Sequence, residues 1–250
     1  MKKSIMNKLL AVSLMSILAP CAAFATMYID HFDDPVGGQS LTQTTAGTSA
    51  TFVSGLGASA MGGSRYVEVT KTGEFGGSHS VNINNSAYPS VMADSMQAGT
   101  SGFSRLIWDG NSNNTIDYTM PLIDFTQGGI NSAIAIRILF NDMPGKITLN
   151  FGDGTVNNNY TLTAPDYSNP FPIDIIIPFS AWTGVDFTQI RGGGMLVDLL
   201  QSEDLLIDFV APGCPVPEPG TLALLGVGML CLAVYGKRRI NNAENQGMCT

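Results

Sequence analysis

The chain has 250 residues, 44% of them hydrophobic and only 13% charged, with 20 acidic against 12 basic side chains. Half of the bases sit in its first eight residues or at 237–239, so the stretch between, Glu218 included, carries nineteen acids against six bases, a net charge of about −13. Such a surface repels phosphate backbones and anionic headgroups, which excludes nucleic acid as a partner.

The first element is an address. Lys2, Lys3 and Lys8 form a positive region, Leu9 to Ala19 an apolar run, and Ala23-Phe24-Ala25 a small-x-small site. Together they predict a signal peptide over 1–25 that begins as a helix and is cleaved after Ala25. Its length of eleven residues falls short of the roughly 20 that a stable membrane helix needs. Leu18-Ala19-Pro20-Cys21 loosely matches a lipoprotein box, but Pro20 stands where a small residue is expected.

Residues 26–211 are expected to form one domain, long enough to bury a real core. Period-two alternation recurs through it, as in Tyr66 to Thr70, Ile134 to Phe140 and Lys146 to Phe151, and no stretch sustains a helical period. Further strands are predicted at Gly102 to Trp108, Tyr160 to Thr163, Ile173 to Phe179, Met195 to Leu199 and Leu205 to Val210, about ten in all with weak early ones between Ala46 and Ser64. Gly152-Asp153-Gly154 suits a tight hairpin. Asn111 to Asn114, Pro144-Gly145, Asn157 to Asn159 and Gly192 to Gly194 read as turns. The pattern predicts an all-β fold, an antiparallel β-sandwich of jelly-roll type.

Candidate chemistry in this domain is sparse. His31 lies near Asp30, Asp33 and Asp34, and His79 between Ser78 and Ser80, but no Gly-x-Ser-x-Gly elbow surrounds any serine. No catalytic residue is assigned. Asp109, Asn111, Asn113 and Asp117 alternate after Trp108 in the manner of a calcium loop, although Asn114 replaces the glycine and Met120 the glutamate that such a loop uses. A structural Ca2+ is the one cofactor this suggests; the competing reading is that these side chains make turns. Of the cysteines, Cys21, Cys231 and Cys249 fall in the two ends, which leaves Cys214 at the domain boundary and no disulfide within the domain.

Residues 212–219 are a proline-rich linker, with prolines at 212, 215, 217 and 219. Gly220 to Gly236 then runs without a charge and is closed by Lys237, Arg238 and Arg239. Seventeen helical residues reach only about 25 Å, slightly less than the hydrocarbon core, and snorkelling of the basic side chains makes up the difference. A single transmembrane helix with a cytoplasmic basic stop is predicted over 220–239, followed by a polar tail over 240–250.

The order of Val216, Pro217, Glu218 and Pro219, an apolar span and a basic end resembles the PEP-CTERM sorting signal. That resemblance implies a Gram-negative bacterium with exopolysaccharide genes, a transient stay in the inner membrane, and processing by exosortase, which reads Pro217, Glu218 and Pro219. Family members usually stop soon after the basic cluster, whereas Ile240 to Thr250 follow here. Tyr28 to Asp34, Trp182 to Phe187 and Leu205 to Val210 look similar to the first and last strands of carbohydrate-binding-module-like β-sandwiches. This second resemblance implies a structural ion near Asp30, Asp33 and Asp34, and a sugar platform drawn from Trp108, Trp182, Tyr88, Tyr118, Tyr160 and Tyr167. The expected function is that of an exported, exosortase-sorted protein of the cell surface or exopolysaccharide matrix, without catalytic activity; a polysaccharide-binding module is the alternative.

Overall fold

A computed structural model of the protein describes residues 27–73 and 76–213. The signal peptide with Ala23 and Ala25, the linker from Cys214 onward with Val216, Pro217, Glu218 and Pro219, the span with Lys237, Arg238 and Arg239, and the polar tail lie outside the described residues. Among the described residues no helix is long and apolar enough to cross a membrane.

Alternating β-branched and aromatic side chains, broken by Gly, Asn and Pro, fold into twelve strands. They are β1 (Gln39–Gln43), β2 (Gly47–Ser54), β3 (Ser64–Lys71), β4 (His79–Ile83), β5 (Met92–Met96), β6 (Gly102–Trp108), β7 (Ala133–Asn141), β8 (Lys146–Gly152), β9 (Asn157–Thr163), β10 (Ile173–Pro178), β11 (Gly192–Asp198) and β12 (Asp204–Gly213). Helical structure among the described residues is confined to short 3₁₀ turns at 57–59, 61–63 and 179–181.

All strand pairs are antiparallel, in two six-stranded sheets: sheet A in the order β1-β4-β5-β12-β7-β10 and sheet B in the order β2-β3-β6-β11-β8-β9. The pairs β2–β3, β4–β5 and β8–β9 are hairpins within one sheet, and every other connection crosses between sheets. The fold is therefore an all-β antiparallel sandwich of jelly-roll type. Its core is the space between the two inner faces, where Ile134, Ile136, Ile138 and Ile207 of sheet A meet Val69, Leu106, Leu149, Phe151 and Val197 of sheet B, all at 0% exposure. Each such side chain contributes about 1.5–3 kcal/mol by leaving water, which is how two sheets hold together with no cysteine among the described residues.

Two expected turns are strand instead. Asn157 to Asn159 open β9, paired with Gly152 to Asn150, and Gly192 to Gly194 open β11, hydrogen-bonded between β6 and β8. Glycine in a strand marks a place where another part of the chain comes close; here that part is the loop after Trp108. At the C-terminal end, β12 continues through Pro212 and Gly213, opposite Ile134 and Ala133, so two residues read as linker complete a strand. Alongside β12 runs the first described segment: Ile29 N donates to Val210 O at 2.9 Å and Val210 N to Asp30 O at 2.8 Å.

Candidate functional site

The outward face of sheet B carries the side chains that alternate with the core. In register across the strands these are Tyr66, Ile107, Gly194, Asn150 and Asn159 in one row, and Glu68, Arg105, Leu196, Thr148 and Thr161 in the next. The segment from Asp109 to Met120 folds back over the first row, and glycine makes that possible. A Cβ on Gly194 would stand 2.9 Å from Ile116 Cδ1, one on Gly192 3.2 Å from Tyr118 Cδ1, and one on Gly152 2.5 Å from the same Tyr118 atom. Ile116 and Tyr118 thus lie on a strip of sheet stripped of side chains.

Beside this overlay runs a groove of about 390 Å³. Gly194 and Leu196 form its floor, and Arg105, Asn114, Tyr118, Thr148, Asn150 and Asn159 project into it. Tyr118 Oη donates to Asn150 Oδ1 at 2.5 Å, and the Thr148 and Thr161 hydroxyls lie 2.8 Å apart. Burial, and to a lesser degree the charge of Asp109, raises the Tyr118 phenol above its ordinary value, so it remains a neutral donor. No carboxylate lines the groove. Its one cation, Arg105, donates to Asn114 O at 3.1 Å and lies 3.7 Å from buried Glu68, which also accepts from Tyr66 Oη at 3.1 Å. The lining is thus amides, hydroxyls, a phenol and an apolar floor, with its charge balanced from within. It is suited to a polar, uncharged ligand that presents both hydroxyls and apolar faces.

The structure brings Asp109, Asn111, Asn113 and Asp117 together at one end of this overlay. Asp109 accepts from Asn111 N and Asp117 N, both at 2.8 Å, while Asp117 Oδ2 accepts from the side-chain amides of Asn111 and Asn113 at 3.1 and 2.9 Å. A calcium ion takes six to eight oxygens. Here the carboxylate oxygens that converge accept N–H groups from the loop itself, the bonding of Asx turns. Among the described residues no three His, Cys, Asp or Glu side chains form a metal cage.

Beside Asp30 the structure places a guanidinium. Arg65, fully buried, embraces the Asp30 carboxylate with Nε and Nη2. Trp108 Nε1 donates to the same carboxylate at 2.7 Å and Phe32 N at 3.0 Å. Arg65 also donates to Asp34 O at 2.9 Å, and the Ser59 hydroxyl to the Asp34 carboxylate. Asp33 faces His31, whose Nδ1 is 2.8 Å away but misaligned for a hydrogen bond.

His79 is buried on β4. Its Nε2 lies 2.8 Å from Asp94 Oδ1 and its Nδ1 3.3 Å from Thr70 O, while the Ser104 hydroxyl donates to the other Asp94 oxygen. Serine and histidine both bond to the aspartate and not to each other, so His79 has no geometry for activating that serine. Burial opposes the charged ring, but the Asp94 hydrogen bond and charge, with the Thr70 carbonyl, outweigh it and hold the His79 pKa above its ordinary value.

Of the six aromatics considered for a sugar platform, Trp108 and Trp182 are core residues, at 0% and 1% exposure, and Tyr160 packs on Trp182 with ring centroids 5.6 Å apart. Tyr88 and Tyr167 are exposed on separate loops. Tyr118 alone reaches the groove. Arg105, Thr148, Asn150 and Asn159 were not among the expected site residues. The signal that points to them is the glycine run in β11, once it is read as strand.

Fold and face together define a two-sheet β-sandwich with a polar groove on one outer surface. The chain also carries a PEP-CTERM protein-sorting motif, matched over residues 215–239. Its structural neighbours include carbohydrate-binding module β-sandwiches. One is a family 11 module from Clostridium thermocellum in complex with a β-1,3-1,4-mixed-linked tetrasaccharide, at 13% identity over 75% of this chain and 95% of that one, with a TM-score of 0.34. Another is the family 11 module of a cellulosomal cellulase of Clostridium thermocellum, at 12% identity over 77% and 97%, with a TM-score of 0.33. No curated protein sequence matches the chain.

Proposed function

We propose that the protein is exported, held briefly in the inner membrane of a Gram-negative bacterium by residues 220–239, processed by an exosortase, and displayed on the cell surface or in the exopolysaccharide matrix as a sandwich without catalytic activity. The observation that carries this reading is the sorting motif at 215–239, preceded by a folded domain and, at the other end of the chain, by the features of a signal peptide. The test is the mass and location of the mature protein in matched strains with and without exosortase. Loss of the tail and appearance outside the cell only in the first strain is the expected result. A chain in the cytosol with Met1 and Thr250 intact would refute it.

A second reading, polysaccharide binding, rests on the groove over sheet B. Amides and hydroxyls above an apolar floor match a hydroxyl-rich polymer better than a charged one, and the surrounding acidic surface disfavours polyanions. Retention on neutral polysaccharide columns, weakened by Tyr118→Ala and Asn150→Ala, tests it; equal passage of all three proteins through every column removes it. Calcium at Asp109 and Asp117 is tested separately by melting chelator-treated protein with and without added Ca2+. A stability that rises with ln(1 + [Ca2+]/Kd) in the parent but not in Asp117→Asn supports an ion there, and an unchanged one in the parent excludes it.

A further inference from the structure

The first and last described residues lie at the same end of the sandwich. The bridge between Asp30 and Val210 is antiparallel, so Met27 and Tyr28 run beside Pro212 and Gly213. Around them gather the loops of one pole. Met61 N donates to Ile29 O at 2.7 Å, His31 N to Ser59 O at 3.2 Å, and Phe179 N to Ser132 O at 2.9 Å beside the Ala133–Gly213 pair. The loops of the opposite pole hold one another: Thr72 N donates to Ser101 O, Gln97 N to Ser78 O, Ala164 N to Gly145 O and Met96 N to Glu203 O, at 2.8 to 2.9 Å. A strand the length of β7, nine residues, separates the poles by about 30 Å.

We infer that the pole bearing both ends faces the bilayer while the chain is held there, and that the pole formed by residues 97–101, 142–145, 164–172 and 199–203 faces away. This rests on the membrane-held stage of the sorting reading. Six residues lie between Gly213 and Gly220, and the seven steps from one to the other span at most about 25 Å. The signal sequence ends two residues before Met27, so before cleavage the domain is tethered at both ends from one pole. Adsorption does not set this orientation. The near pole presents Asp124, Asp153 and Asp186, and anionic headgroups repel it. Backbone and side-chain N–H or O–H donors hold the carboxyls of Asp124, Asp153 and Asp186 below the usual range, so all three stay ionised. The tether alone orients the domain, and the groove on the side of sheet B stays open to the medium. An enzyme reading Pro217 to Pro219 must work against the near pole, because the four steps from Gly213 to Pro217 allow at most about 14 Å between them.

The test is energy transfer from a donor dye on one cysteine to an acceptor on the lipid headgroups, using the signal-cleaved, tail-bearing chain in liposomes with Cys214, Cys231 and Cys249 replaced by serine. The dye is placed at Thr183→Cys on the near pole or Gln201→Cys on the far pole, both exposed positions. Transfer several-fold stronger from Thr183→Cys is the expected result. Inserting twenty Gly and Ser residues after Gly213, which adds a flexible chain of about 25 Å, should collapse the difference. Equal transfer from the two positions of a chain that floats with the liposomes, or stronger transfer from Gln201→Cys, overturns the inference alone. A chain that stays in solution and transfers from neither position overturns it together with the membrane-held stage.

Discussion

Replacing Asp30 by Asn is the most informative single change in the sandwich. The carboxylate is the meeting point of the first described segment, Arg65 of β3 and Trp108 of β6. It also caps the left-handed turn at Phe32 (φ 59°), over whose ring the Arg65 guanidinium sits at 5.3 Å. Both partners of the ion pair have fully buried side chains. The substitution preserves shape but leaves a buried guanidinium without a counter-charge, a defect that costs about 3–5 kcal/mol. In a domain of this size 1 kcal/mol moves the melting temperature by about 2–4 °C, so a fall of about 6–20 °C is expected. Urea unfolding of the parent, Asp30→Asn, Arg65→Met and the double variant measures it as a cycle. The double variant should recover much of the loss, because the unpaired charge is then gone. A loss below about 1 kcal/mol for Asp30→Asn, or strictly additive single effects, would refute the claim that the pair acts as a unit.

Three further outcomes follow from the same geometry. The raised pKa of His79 makes its contribution to stability fully present below about pH 6.5 and lost as pH rises through the higher folded-state value. Unfolding midpoints should therefore decline as pH rises above about 6.5, and His79→Gln should flatten the decline; an unaltered slope in that variant would assign the effect elsewhere. Gly194→Val would place a Cβ 2.8 Å from Leu106 O and 2.9 Å from Ile116 Cδ1, lifting the overlay from sheet B at about 1–3 kcal/mol. Polysaccharide retention should vanish while the strand spectrum persists, and undiminished retention would show that the overlay does not shape the groove. Tyr118→Ala removes both a ring and the hydrogen bond to Asn150, so affinity for any retained glycan should fall about tenfold by titration calorimetry.

How much of this was legible in the chain depends on what each residue answers to. Long strands such as β7 and β8 alternate cleanly because one face meets the core and the other does not, and their positions follow from period alone. The short strands β1, β4 and β5 escaped, since five residues carry little periodicity and their inward positions include buried polar groups, His79 among them. A buried histidine is indistinguishable in sequence from an exposed one until Asp94 and Thr70 are brought to it from other strands. The groove was hidden for a related reason. Its side chains are ordinary Asn, Thr and Arg on an outward face, and they become a site only because the loop after Trp108 is drawn over glycines in two neighbouring strands. Gly152, Gly192 and Gly194 looked like turn residues because glycine alone does not say whether the backbone bends or another segment needs the space. Two of them sit in β11 directly before the alternating run Met195 to Val197, and that continuity is the one signal that separates the readings. A turn would reset the alternation of inward and outward side chains. Here the phase set by Met195 and Val197 carries back through the glycines, leaving Gly194 and Gly192 on the outward face, bare and ready to be covered.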